Sequence, residues 1–154
     1  MLKILIRSAK LADLSRMSYI TRLAYKIPFQ KDAIVTRPHE SRNIKEKFLN
    51  KEFFVIVAEH DKKIIGAVKY KFTKNKDIYL YQLAVLKTYR NKGIGSLLIK
   101  ETEKIAKKEK CKKILLDFAQ EKKLAEFYKE LGFKIDKIQK HHNHHDVYMS
   151  KLVL

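Results

Sequence analysis

The chain has 154 residues, 45% of them hydrophobic and spread along its length, which suits one globular domain over residues 1–154 and excludes a fibrous, repetitive or disordered protein. The single cysteine, Cys111, excludes an internal disulfide and a paired-cysteine zinc site. The net charge of +18 favours acidic partners, but the lysines that carry it (Lys45, Lys62, Lys107, Lys112 among them) are scattered over every segment with no arginine–aromatic cluster, so a solvated surface is expected rather than a nucleic-acid interface.

At the N-terminus, Leu2 to Arg7 alternates as a short strand does; its apolar stretch, broken by Lys3, is too short for a signal segment or a membrane span, and a cytoplasmic protein off the membrane is expected. Asp13 can then cap a helix in which Leu14, Met17, Ile20, Ala24 and Ile27 form one apolar stripe ending near Pro28. A second helix follows Pro38 on a thinner stripe of Ile44, Phe48 and Leu49. Three strands come next, Phe53 to Glu59, Ile64 to Phe72 and Asp77 to Val85, separated by polar turns in an antiparallel meander.

The period then changes: Ile94, Leu98, Thr102 and Ile105 share one helical face. Ile114 to Ala119 reads as a strand. Leu124, Phe127, Tyr128 and Leu131 make a short amphipathic helix closed by Gly132, the residue best able to take a left-handed cap. Two last strands, Phe133 to about Gln139 and Asp146 to Leu152, flank a histidine-rich connection. The order is β-α-α-β-β-β-α-β-α-β-β, an α/β fold with a mixed sheet of about seven strands and about four helices.

The chemistry gathers where the fourth strand runs into the third helix, at Leu83-Ala84-Val85 followed by Arg90-Asn91-Lys92-Gly93-Ile94-Gly95-Ser96. A helix start presents backbone N–H groups without internal partners at the positive end of the dipole, so a turn opening it can hold phosphate oxygens. Glycine lets the backbone approach such a ligand closely, and Arg90 and Lys92 add cationic donors. Only four glycines occur in the chain, and Gly93 and Gly95 both fall in this turn.

These residues resemble the acetyl-CoA-binding signature of the GNAT superfamily of N-acetyltransferases, and Phe127-Tyr128-Lys129-Glu130-Leu131-Gly132-Phe133 is similar to its second signature at the expected separation. With Gly66 and the opening Ile6-Arg7-Ser8-Ala9 and Asp13, the resemblance covers nearly the whole chain. It implies a GNAT-like sheet and transfer of an acetyl group from acetyl-CoA to a primary amine, of a small molecule or a peptide, by direct attack in a ternary complex without a metal. The cofactor-binding residues it implies are Leu83, Ala84, Val85, Arg90, Asn91, Lys92, Gly93, Ile94, Gly95, Ser96, Phe127 and Tyr128. Of these, the Val85 N–H would polarise the thioester carbonyl, and Tyr128 would protonate the departing thiolate. A monomer or homodimer is expected. The alternative from another class is a non-catalytic GNAT-fold protein that binds CoA or docks its basic surface on RNA or ribosomes.

The sequence departs from the family pattern in two places. Glu121 and Leu124 stand where many members carry asparagine and alanine, and the fourth strand, Tyr79-Leu80-Tyr81-Gln82, has no carboxylate after Asp77. The acceptor proton must then leave through ordered water, Asp77 or a histidine of the last loop. That loop, His141-His142-Asn143-His144-His145-Asp146, reads as an exposed polar turn, and the resemblance implies a hairpin that often borders the acceptor pocket; neighbours in a turn point in different directions, so no metal site is expected there.

Overall fold

The computed structural model describes residues 2–24 and 38–154, with side chains described up to residue 24 and from residue 44 onward. The elements are β1 (Leu5–Ser8), α1 (Leu14–Ala24), α2 (Pro38–Leu49), β2 (Phe54–His60), β3 (Lys63–Phe72), β4 (Ile78–Val85), α3 (Ile94–Lys108), β5 (Lys113–Ala119), α4 (Ala125–Glu130), β6 (Lys134–Lys140) and β7 (His145–Leu152). Their order is the one the sequence predicts. The seven strands follow one another in the sheet as β1-β2-β3-β4-β5-β7-β6. Parallel strands need a long crossover, and α3 supplies it between the parallel pair β4 and β5. The chain divides into two compact units, Met1–Lys71 with Gln82–Thr102, and Phe72–Tyr81 with Glu103–Leu154.

In the first unit β1 and β2 pair antiparallel from Leu5↔Glu59 to Ser8↔Ile56, so β1 begins later than the alternation of Leu2 to Arg7 suggests. The β2–β3 hairpin turns through Asp61 and Lys62, both left-handed, which matches the twist of an antiparallel pair. Val55 to Ala58 and Ile64 to Val68 are buried without interruption, the pattern of strands covered on both faces. The α1 stripe holds: Leu14, Met17 and Ile20 are buried, while Ile27 and Pro28 lie outside the described residues.

Two details differ from expectation. Asp13 does not cap α1 directly but closes a one-turn 3-10 helix, Leu11–Asp13, where its carboxylate accepts the Lys10 N–H at 2.7 Å. The same carboxylate accepts two bonds from the Arg7 guanidinium, at 2.7 and 3.2 Å, and Arg7 Nε reaches Glu59 at 2.8 Å. In α2, Leu49 is 63% exposed although Phe48 meets Phe53 at 6.0 Å between ring centroids. One residue turns a helix by about 100°, which carries Leu49 off the face that Phe48 presents.

Gly66 decides how closely β3, β4 and α3 pack. A Cβ there would stand 3.2 Å from the Ala84 carbonyl oxygen and 3.4 Å from both Ile94 Cγ2 and Leu98 Cδ1. Ile94, Leu98 and Thr102 are fully buried on the predicted α3 face, and the Thr102 hydroxyl is satisfied by the Leu98 carbonyl at 3.0 Å.

In the second unit β5 lies between β4 and β7, paired antiparallel with β7 over its whole length, Lys113↔Leu152 to Ala119↔Asp146. β6 is the edge strand and is exposed throughout; lysines at positions 134, 137 and 140 keep such an edge from recruiting another strand. Cys111 is buried between α3 and β5, and burial pushes its thiol up, which suits a structural rather than a reactive cysteine.

Candidate active site

The first constellation starts inside β4. Gln82 takes a left-handed backbone, φ 53°, in the middle of a strand, a conformation that disfavours any side chain with a Cβ. Leu83 to Val85, which follow it, lie past the Ile78 and Tyr79 ladder with β5. Strained residues of this kind persist where the surrounding structure imposes them, often beside a site. Sequence reasoning did not single out Gln82, because glutamine carries no local signal for a left-handed backbone.

After Val85 a 3-10 turn, Lys87–Tyr89, leads to Arg90, then to Asn91 and Gly93, both left-handed at φ 60° and 79°. The Gly93 carbonyl takes the first helical bond, from the Leu97 N–H at 3.1 Å, so the N–H groups of Ile94, Gly95 and Ser96 open outward from the first turn of α3. Nothing lies within 4 Å of a Cβ built on Gly93: this glycine is required by its φ, and the space before it is open. No acidic side chain stands in the first turn of this 15-residue helix, so none competes there for an anion. Lys92 is exposed, and with Leu2, Ile4 and Leu97 it lines an open cavity of about 420 Å³. Arg90 Nε donates to the Val85 carbonyl at 3.0 Å, which ties the turn back to the strand end; Tyr89 meets His60 edge-on at 5.8 Å.

The sequence-predicted residues divide by what they can offer. Ala84 and Ile94 have their side chains in the core, at 3% and 1% exposure, so only their backbones are available to a ligand. Asn91, Lys92 and Gly93 are exposed, and Leu83, Val85, Gly95 and Ser96 are half-buried. A group with a pyrophosphate fits this turn on three counts: outward N–H groups at a long helix start, open space at Gly93, and no acidic neighbour in the first turn.

The second constellation is built around Tyr128 on α4. Six residues make a marginal helix, and this one is held at its end. Gly132, at φ 93°, sends its N–H to the Lys129 carbonyl at 2.9 Å, and Phe133 sends its own to the Tyr128 carbonyl at 3.0 Å. These are the two bonds of a Schellman cap, and its usual apolar contact is the Tyr128–Phe133 pair, 5.7 Å between centroids. Phe118 stacks on Tyr128 at 5.6 Å and Phe127 meets it edge-on at 5.0 Å. Lys151 Nζ donates to the Leu131 carbonyl at 2.7 Å and to Glu103 at 2.8 Å, satisfying one more terminal carbonyl. Tyr128 is therefore both a core aromatic, 6% exposed, and a residue of fixed orientation.

Of the groups the sequence offers for the acceptor proton, Asp77 sits in the turn before β4, its N–H bonded to Thr73 Oγ1 and its carbonyl taking the Thr73 N–H. A carboxylate that sequence reasoning passed over, Asp117 on β5, accepts the Tyr79 hydroxyl. Burial, then this bond, push the Tyr79 phenol well above its ordinary range, so it stays protonated; burial raises Tyr81 as well. His141 and His144 turn toward Asp146, at 3.0 and 3.4 Å from its carboxylate.

Residues 17–133 match the family described as the acetyltransferase (GNAT) family, and the chain belongs to it. Its members are acetyl-CoA-dependent N-acetyltransferases, which makes this chain an acyltransferase at the level of the family. An uncharacterised N-acetyltransferase of Chlorobaculum tepidum is 30% identical over 129 residues, covering 84% of this chain and 74% of that one. In fold the chain is similar to the paia N-acetyltransferase of Thermoplasma acidophilum, solved with coenzyme A, with 24% identity, a TM-score of 0.78 and coverage of 98% and 99%. It is similar also to the ribosomal-protein-S18-alanine N-acetyltransferase of Escherichia coli, with 16% identity, a TM-score of 0.77 and coverage of 98% and 94%. Among the described residues no helix is long and apolar enough to cross a membrane.

Proposed function

We propose that this protein transfers the acetyl group of acetyl-CoA to a primary amine, of a small molecule or of a peptide, by direct attack within a ternary complex. The observation that carries the reading is the start of α3: a left-handed glycine with open space before it, outward N–H groups, and no acidic side chain in the first turn. Bound there, acetyl-CoA supplies an activated thioester. The N–H groups of Ile94, Gly95 and Ser96 hold its pyrophosphate, with Asn91 and Gly93 shaping the turn and Arg90 and Lys92 adding charge. The backbones of Leu83, Ala84 and Val85 bind the pantetheine arm, and the Val85 N–H polarises the carbonyl under attack. Phe127 flanks the arm, and the Tyr128 O–H donates a proton to the leaving sulfur. These roles rest on the family resemblance together with the local geometry of each residue.

The test is thiol release from acetyl-CoA over a panel of amines, peptides with free N-termini and ribosomal proteins, with Tyr128→Phe and Gly93→Glu alongside. Tyr128→Phe keeps the ring in its aromatic cluster, so a loss of turnover with retained CoA binding assigns the proton to the hydroxyl. Gly93→Glu places a side chain and a negative charge where φ is left-handed and the phosphates should lie, and should abolish CoA binding measured by calorimetry. CoA binding with no turnover over the panel would leave the acceptor unidentified; no CoA binding by the wild type would end the proposal.

A further inference from the structure

The loop between β6 and β7 carries a third constellation. The two strands pair as far as Lys140↔His145, and the His141 N–H donates to the His144 carbonyl at 2.7 Å, so only His142 and Asn143 form the tip of a tight hairpin. In such a hairpin His141 and His144 stand opposite each other, and side chains two apart on a strand share a face, which brings Asp146 onto the side of His144. Asp146 is itself fixed in two ladders, opposite Gln139 in β6 and Ala119 in β5.

The result is a set of three ligand atoms. His141 Nε2 lies 3.0 Å from Asp146 Oδ2 and His144 Nε2 lies 3.4 Å from Oδ1, the two rings stack with centroids 5.0 Å apart, and all three candidate ligand atoms fall within 4.8 Å of one another. Two features ask for a cation among them. His144 Nδ1 is 2.9 Å from Asn143 Oδ1; in the tautomer that donates there, a neutral ring keeps its Nε2 lone pair toward the carboxylate, an arrangement that is repulsive until a second proton or a metal ion intervenes. His141 Nε2 is buried from solvent and, despite its closeness to Asp146, makes no hydrogen bond of acceptable direction. A metal ion between the two would need no N–H direction.

We propose that His141, His144 and Asp146 bind a divalent transition-metal ion of the zinc type, with Asn143 orienting His144. Two imidazoles and a carboxylate suit that ion, and ligand atoms about 2.1 Å from it in a tetrahedron lie roughly 3.4 Å apart. The two histidine-to-carboxylate spacings, 3.0 and 3.4 Å, lie just below and at that value, so closing the set asks for side-chain rotations on a backbone already in place. His142 at the tip stands outside the trio.

The test is titration of the full, tag-free, metal-stripped chain with zinc chloride by calorimetry. One zinc ion per chain is expected, with affinity falling at least about tenfold in His141→Ala, His144→Ala and Asp146→Asn, and unchanged in His142→Ala. Zinc should raise the melting temperature of the wild type and leave that of Asp146→Asn where it was. Cobalt(II) added to the wild type reads the site without any variant: intense visible bands of a four-coordinate ion support it, and the pale spectrum of the hydrated ion overturns it. No zinc binding, binding that survives in His144→Ala and Asp146→Asn, or an equal loss in His142→Ala would also overturn it, the last because a diffuse histidine cluster would then be enough.

Discussion

Gly66 is the position at which a single added side chain should test the packing beneath the candidate phosphate turn. A glycine inside a strand weakens it by about 0.5–1 kcal/mol relative to alanine, so in open surroundings Gly66→Ala would stabilise the chain. Here the new Cβ meets the Ala84 carbonyl oxygen at 3.2 Å and methyl groups of Ile94 and Leu98 at 3.4 Å. The oxygen belongs to the β4 backbone and both side chains are at most 1% exposed, so none of the three can swing aside. Overpacking of this kind costs about 1–3 kcal/mol, which outweighs the gain and leaves Gly66→Ala about 1 kcal/mol less stable than wild type. Gly66→Val adds two methyl groups in the same space and should lose about 3 kcal/mol or more. Because Ile94 is the first residue of α3, relief of the clash pushes on the helix start, and CoA affinity should fall along with stability. Urea unfolding reads the first effect as a lower midpoint at an unchanged slope, and calorimetry with CoA reads the second. A Gly66→Val protein with the wild-type midpoint would refute the packing argument, and one that is destabilised yet binds CoA as before would refute the link to the turn.

Three further outcomes follow from the same structure. Gly132→Ala must hold φ 93° with a Cβ 3.0 Å from Lys151 Cε, so it should cost about 2 kcal/mol of stability in urea unfolding and lower turnover through Tyr128; a variant with wild-type stability would remove the Schellman cap from the argument. Gln82→Gly relieves a left-handed penalty of about 1–2 kcal/mol against the roughly 0.5–1 kcal/mol that a strand glycine costs, so it should stabilise by about 0.5–1 kcal/mol in the same assay, whereas a loss would mean that the side chain itself holds the strand. Asp13 titrates below its ordinary value because the Arg7 guanidinium bonds its charged form. The stability it contributes is therefore complete above about pH 4, the unfolded value, and fades as pH falls through the lower folded value. Asp13→Asn should be less stable than wild type near neutrality and lose less on acidification through that window; a gap between the two proteins that stays constant with pH would exclude this role.

Much of the fold and part of the candidate site's local geometry were written in local pattern. The α3 stripe of Ile94, Leu98 and Thr102 and the Tyr128-Gly132-Phe133 cap are made by residues within a few turns of one another, so period and glycine placement suffice to find them. The same holds for the turn at Asn91 and Gly93, two residue types that accept a left-handed backbone with little strain. What the tertiary structure decided involves partners far apart in the chain or a register that pattern does not encode. Arg7 bonds Glu59 from 52 residues away and Tyr79 bonds Asp117 from 38, and neither pair leaves a trace in local sequence. Gln82 takes a left-handed backbone against its own preference, which no local pattern announces. The histidine run showed four imidazoles and a carboxylate but not which of them share a face; that depends on the strands pairing up to Lys140↔His145, since a slip of one residue would send His144 and Asp146 to the opposite side.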